Sequence, residues 1–269
     1  MNSNTSKTGR KALLGTSITT GSYRDLLDAI LSLAEKKIPS YVCFANVHMV
    51  VEAHRDPSFQ KLLHDAAVVA PDGKPVSLLL RLTQGLKQDR VCGMDMFPDI
   101  LARAEASEKS VYFYGTTPQL LARIAEKARK EFPALKIAGY HSPPFRALSE
   151  REKCDIISMI NEANPDLVFV SLGCPKQERW MAENRNKIGA CLLGLGQAFK
   201  VYAGEEKRLP KWMRDLALEW AYRLYLEPGR LWKRYLYTNT IFLMLAMRDI
   251  IGGWWRRRSP EERRHLPTN

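Results

Sequence analysis

An α/β fold, with a Rossmann-like, mostly parallel sheet covered by helices on both faces and an all-helical C-terminal appendage, is what this 269-residue chain predicts. Three observations carry that prediction. Short, wholly apolar runs that read as buried strands alternate with helix-periodic segments from Ser22 to Leu195. The runs end in glycine or a polar residue, as strands feeding β-α-β units do. Beyond Glu205 no strand pattern is visible, and Trp, Tyr, Leu and Arg recur at helical spacing.

In chain order, residues 1–11 are polar and basic and read as a flexible N-terminus. Residues 12–204 form the α/β domain and 205–269 the appendage. Ser22 to Lys36 places Leu26, Leu27, Ile30, Leu33 and Ala34 on one helix face. Tyr41 to Asn46 is a strand, and His48 to Arg55 and Pro57 to Ala66 are successive helices. Ala66 to Ala70 is a strand that stops at Pro71-Asp72-Gly73, since proline lacks a ladder donor and glycine permits the sharp exit. Pro75 suits the first turn of the helix that follows. Asp95 to Ala106 is helical, Ser110 to Gly115 a strand, Pro118 to Phe132 a helix and Leu135 to Tyr140 a strand. Ser149 and Glu152 make a capping-box pattern before a helix running to Ala163. Asp166 to Leu172, Pro175 to Lys187 and Ala190 to Leu195 complete the alternation. In the tail, Pro210 to Leu226 is one helix, Pro228-Gly229 breaks it, and Arg230 to Tyr237 restarts.

The totals bound the function. Net charge is +12, which points to an anionic partner: nucleic acid, a phosphorylated small molecule or an acidic membrane. From Glu205 onward 14 Lys/Arg face 8 Asp/Glu, so half the excess sits in the appendage. The five cysteines form no C-x-x-C pair and read as reduced thiols. The histidines show no metal-ligand spacing, and no D-x-D triplet is present to hold a metal diphosphate. The N-terminus carries no signal-peptide core, and the run Ile241 to Met247 is too short for a bilayer, which needs ~20 apolar residues.

Candidate site residues gather at strand ends on one lip of the sheet, where open α/β folds bind ligands. These are Asn46, Asp72-Gly73, Gly115-Thr-Thr, Gly173-Cys-Pro-Lys-Gln177 and Gly194-Leu-Gly196. Asp72 is a lone carboxylate there, either a helix N-cap or a catalytic group. Glycines at such ends let the backbone approach phosphate. Pro175 starts a helix whose positive end would carry Lys176 and Gln177. Arg90 is a surface charge or a phosphate ligand. Neither a dinucleotide fingerprint nor a Walker loop is present, so NAD and ATP are disfavoured and no cofactor is called for.

Taken together, Pro71-Asp72-Gly73, Arg90-Val-x-Gly93-x-Asp95, Gly173-x-Pro-Lys-Gln-Glu178-x-Trp180, Gly194-x-Gly196-x-Ala-Phe199-x-x-x-Ala-Gly204 and the tail from Pro210 to Tyr235 resemble the WecG/TagA/CpsF family of glycosyltransferases. The resemblance implies transfer of a sugar from a UDP-sugar to a polyprenyl-diphosphate-linked saccharide, inverting and metal-independent, at the cytoplasmic face of the cell membrane. It serves cell-surface polysaccharide: capsule, exopolysaccharide, common antigen or teichoic acid. By the resemblance Asp72 is the catalytic base and Asn46, Arg90 and Gln177 bind substrate. The substrate-binding set is completed by Gly73, Gly115, Gly173, Pro175, Lys176, Gly194, Gly196 and Phe199. Two positions depart from the family pattern: Phe44, where many members have Thr, and Lys200, where many have Asp.

The tail is expected to touch an anionic membrane surface through Arg214, Trp220, Arg223, Arg230, Trp232 and Arg234, with a second anchor at Trp254-Trp255-Arg256-Arg257-Arg258. The competing reading is a nucleic-acid-binding α/β protein, favoured by charge alone. No nucleic-acid motif is present and the tail's aromatics fall with Leu at helical spacing, so no nucleic-acid partner is expected.

Overall fold

The computed structural model describes residues 8–257, with the side chains at 215, 230 and 253–257 excepted. A hairpin, β1 (Gly9–Leu13) and β2 (Thr16–Thr20), opens the chain, followed by α1 (Tyr23–Glu35), β3 (Ser40–Ala45), α2 (Val47–Arg55) and α3 (Pro57–Asp65). Next come β4 (Val68–Pro71), α4 (Lys74–Gln84), α5 (Gly93–Ala106), β5 (Ser110–Gly115), α6 (Pro118–Glu131), β6 (Lys136–His141) and α7 (Glu150–Glu162). The domain closes with β7 (Leu167–Ser171), α8 (Lys176–Asn184), β8 (Cys191–Gly194) and α9 (Ala198–Tyr202). The tail holds α10 (Lys211–Asp215), α11 (Glu219–Leu226) and α12 (Pro228–Arg257).

Six strands form one sheet in the order β4-β3-β8-β7-β5-β6, and every neighbouring pair is parallel. The central strands are buried along their length, so successive residues serve opposite faces. Val42 and Phe44 pack with α1, α5 and α6, while Cys43 and Ala45 pack with α2, α3 and α8. The capping boxes are present, Ser22 with Asp25 at α1 and Ser149 with Glu152 at α7.

Three sequence expectations need correcting. Residues 1–7 lie outside the described residues, but Gly9 to Lys11, read as flexible, are paired in β1 against Ile18 to Thr20. The helix expected from Pro210 to Leu226 is two, parted at Ala217, whose φ of 59° lies in the left-handed region. The break expected at Pro228-Gly229 falls at Glu227, but the helix that restarts runs to Arg257 and does not stop at Tyr237. Proline there occupies the first turn of a 30-residue helix. That helix, α12, packs on α2, α4 and α11 and gives Phe242, Leu245 and Ala246 to the same core as β3 and α2.

Candidate active site

The parallel register brings the strand ends to one lip: Ala45 lies beside Pro71, Gly115 beside Ser171, and Val170 beside Gly194. After β4 the chain crosses to β5 on the other side of β3, and β8 and β7 later fill the space between. A cavity of about 620 Å³ opens at that lip. Its floor is made by the strand ends, and its far wall by α11 and α12 of the tail.

Asp72 lines this cavity and does not cap α4. Gly73 is the N-cap, with φ 88° and no side-chain hydrogen bond to the helix. The left-handed φ is available to glycine at little cost, and it leaves the preceding carboxylate unspent. Burial pushes the Asp72 carboxyl up to about 6, against the opposing pull of the Cys92 thiol and the Arg90 guanidinium.

Asn46 also lines the cavity, but its Oδ1 accepts from the Met49 N–H as the cap of α2, which leaves its amide N–H groups to face a ligand. Gly73, Gly173, Gln177, Gly194 and Gly196 line the cavity as well. Phe44 and Lys200, the two departures from the family pattern, are both on its wall.

Other expected site residues lie elsewhere. Arg90 is outside the lining: its Nη2 binds Asp95 Oδ2 at 3.1 Å and Glu219 Oε1 at 3.4 Å. Arg208 and Arg214 join the same carboxylates, Arg208 through both and Arg214 through Asp95 at 3.1 Å. The cluster thus ties the tail to α5, and Arg90 acts on Asp72 through its charge. Gly115 is a packing position, since a Cβ there would lie 2.3 Å from the Ser171 carbonyl oxygen; its neighbour Thr116 reaches the cavity instead. Phe199 is fully buried, stacked on Phe97 at 5.4 Å, because α9 turns its apolar side to the core. Lys176 is exposed and Pro175, joined to Cys174 by a cis peptide bond, is half-buried; neither lines the cavity.

The tail residues read as membrane contacts divide three ways. Arg223, Arg234 and Trp220 line the cavity. Arg214 is held by Asp95. Trp232 is exposed. The Arg230 side chain and those of Trp254 to Arg257 lie outside the described residues, as does Arg258. Arg234 has a buried Nε with no hydrogen-bond partner. It stands near His48, another lining residue, whose imidazole burial and then Arg234 push below its ordinary value. His48, Cys92, Gln197 and Glu206 were not singled out from the sequence. They sit beside the motif residues with no spacing of their own to mark them.

The glycosyl transferase WecG/TagA/CpsF family model matches residues 11–256. Relatives named N-acetylglucosaminyldiphosphoundecaprenol N-acetyl-beta-D-mannosaminyltransferase are similar to this chain. One from Bacillus subtilis is 35% identical over 203 residues, 75% of this chain and 77% of the relative. One from Bacillus spizizenii is 34% identical over 198 residues, covering 73% and 75%. Another, from Staphylococcus aureus, is 26% identical over 198 residues, covering 72% and 73%.

Proposed function

The chain belongs to the glycosyl transferase WecG/TagA/CpsF family, and from that premise we propose that it moves a sugar from a UDP-sugar to a polyprenyl-diphosphate-linked saccharide in cell-surface polysaccharide synthesis, inverting the anomeric centre without a metal. The observation that carries this reading is one cavity with a raised-pKa carboxylate, Asp72, on its floor and two arginines, Arg223 and Arg234, on its wall.

The chemistry follows from those groups. The acceptor hydroxyl attacks the anomeric carbon from the face opposite UDP, and its proton passes to the Asp72 carboxylate. The bond from carbon to the β-phosphate oxygen breaks, and the electron pair leaves on UDP. Charge develops on the diphosphate, and cations already fixed in a partly dry cavity stabilise it without reorganising. Arg223 and Arg234 supply that charge, together with Lys74 and Lys200 on the same lining. Asn46 offers N–H donors to the substrate.

The acceptor reading draws on the relatives, whose names specify a GlcNAc-diphosphoundecaprenol acceptor, and on the cavity's rim. Trp220 and Leu243 line the cavity and are also exposed. Leu243 continues into an exposed apolar stripe on α12 that includes Leu236, Met244, Met247 and Ile251. Trp212, Leu216, Tyr225 and Trp232 of the tail are exposed too. Such a surface suits the interface of an anionic leaflet at the cytoplasmic face, and it lets a lipid tail remain in the bilayer while its head reaches Asp72. No helix among the described residues is long and apolar enough to cross a membrane.

The test is a donor screen in excess EDTA. The full chain is mixed with a panel of UDP-sugars, and UDP release is followed with and without a GlcNAc-diphospho-lipid acceptor. Acceptor-dependent UDP release from one donor is expected. Release that needs added Mg²⁺, or no release with any donor, contradicts the reading.

A further inference from the structure

Two carboxamides in the cavity are held in the same way. Gln177 Nε2 donates to Glu178 Oε1 at 2.7 Å, and Gln177 Oε1 is buried with no partner. Gln197 Nε2 donates to Glu206 Oε2, and Gln197 Oε1 is likewise buried with no partner. Both residues line the cavity. A Cβ at Gly196 would lie 3.3 Å from Gln177 Oε1, and one at Gly194 would lie 3.1 Å from Gln177 Nε2. The glycine pair therefore makes room for an amide, where the sequence suggested room for phosphate.

The two carboxylates decide which end of each amide is left over. An ionised carboxylate only accepts, so it pairs only with the NH₂ end and the oxygen remains; Glu206 has Lys200 beside it, and Glu178, which burial raises to about 7, is in that form above that pH. Glu178 is fully buried beneath the cavity, and Glu206 is also fixed by Lys200 Nζ at 3.6 Å. Buried acceptors left unpaired are costly, so a ligand that supplies donors is favoured at this spot. Phosphate oxygens cannot supply them, being acceptors themselves. The uracil N3–H is a single donor between two acceptor carbonyls, whereas a sugar ring carries several hydroxyls, enough for both amides.

We propose that Gln177 and Gln197 form an acceptor-only subsite for hydroxyls of a sugar ring, with Glu178 and Glu206 as positioning residues that hold the two amides oxygen-inward. The ring is either the ribose of the nucleotide or the pyranose of a substrate. The identity of that ligand rests on the function proposed above, whereas the donor-acceptor polarity rests on the hydrogen bonds to ionised carboxylates.

The experiment measures binding by titration calorimetry at pH 8, where Glu178 is ionised, to the full chain, Gln177→Met and Gln197→Met. The ligands are UDP, 2′,3′-dideoxy-UDP, UDP-N-acetylglucosamine and a short-chain GlcNAc-diphospho-lipid. Each variant is expected to bind about tenfold more weakly a ligand whose hydroxyl it meets. Loss with UDP but not with dideoxy-UDP assigns the ribose, and equal loss with both assigns the uracil N3–H and overturns the hydroxyl subsite. Loss confined to UDP-N-acetylglucosamine or to the lipid assigns a pyranose. Glu206→Gln lets the Gln197 amide turn over, so it should weaken the same ligand in the wild-type background and change nothing in Gln197→Met. That coupling is absent if Glu206 only supports the fold. Wild-type affinity of both Met variants for all four ligands overturns the subsite. A wild-type protein that binds no nucleotide overturns the UDP donor instead, and the lipid arm then decides the subsite.

Discussion

Replacing Arg234 by Met removes a guanidinium from the cavity wall and keeps an unbranched stem for packing. In the free protein the Arg234 Nε is buried without a partner, and the group lies over the Tyr235 ring at 5.4 Å. It is a cation waiting for an anion. A charge-assisted hydrogen bond to a diphosphate contributes about 1.5–3 kcal/mol. At about 1.36 kcal/mol per factor of ten, the Kd for UDP should rise roughly 10- to 150-fold. The loss should shrink as salt rises, because part of it is a screened charge interaction. Folding should not suffer, since no hydrogen bond within the protein is given up by the Nε. A second readout comes from His48, whose imidazole is held down partly by Arg234. Its pKa should climb toward the ordinary histidine value in the variant, followed by NMR of the ring protons in the absence of ligand. Calorimetry with UDP at low and high salt gives the first number. An unchanged Kd, with His48 shifted as expected, would show that Arg234 faces the cavity without meeting the diphosphate, and the leaving-group account would fail.

Three further outcomes follow from the same geometry. With Asp72 as base, kcat/KM should be flat above pH of about 6 and fall tenfold per unit below it, because only the ionised carboxylate takes a proton; a rate that rises on acidification contradicts this. Glu178 is pushed up to about 7 by burial, from an ordinary value of 4.5. The stability this contributes is present below the ordinary value and lost as pH rises through 7, so wild type should lose stability relative to Glu178→Gln between pH 5 and 8, by up to about 1.4 kcal/mol per unit. Parallel urea-denaturation curves at the two pH values would remove that assignment. Leu243→Glu with Met247→Glu, both replacing exposed residues of α12, should reduce co-sedimentation with anionic liposomes several-fold while leaving the melting temperature in place, and full retention on liposomes would detach the stripe from the membrane.

Much of the fold was legible because its signals are local. Tyr41 to Ala45 is buried at every position, and an apolar run ending in the polar Asn46 says so. The Ser149 cap and the Asp72 lip are equally local. The β1–β2 hairpin was hidden because β1 presents Gly9, Arg10, Lys11 and Ala12 to solvent, so its sequence carries no alternation. The break at Ala217 has neither glycine nor proline to announce it. In the site, the residue types were readable and their directions were not. The tail arginines lie on the polar side of amphipathic helices, which a sequence assigns to water. Here the helices lie across the strand ends, so Arg223 and Arg234 face a cavity while Arg214 is drawn into the Asp95 cluster. Of the two partners of Arg90, Asp95 is five residues on, but Glu219 is 129 positions away, and pairing at that range leaves no local pattern.

The account's central claim is that Asp72 takes the acceptor proton in a UDP-sugar transfer. Its most direct measurement compares wild type and Asp72→Asn for radiolabelled sugar transfer to a GlcNAc-diphospho-lipid, with the Kd for UDP measured alongside. The account predicts turnover lower by about 100-fold or more, as general-base loss produces, with the Kd for UDP within a few-fold of wild type. Near-wild-type turnover in Asp72→Asn, with the lipid acceptor saturating, would contradict it.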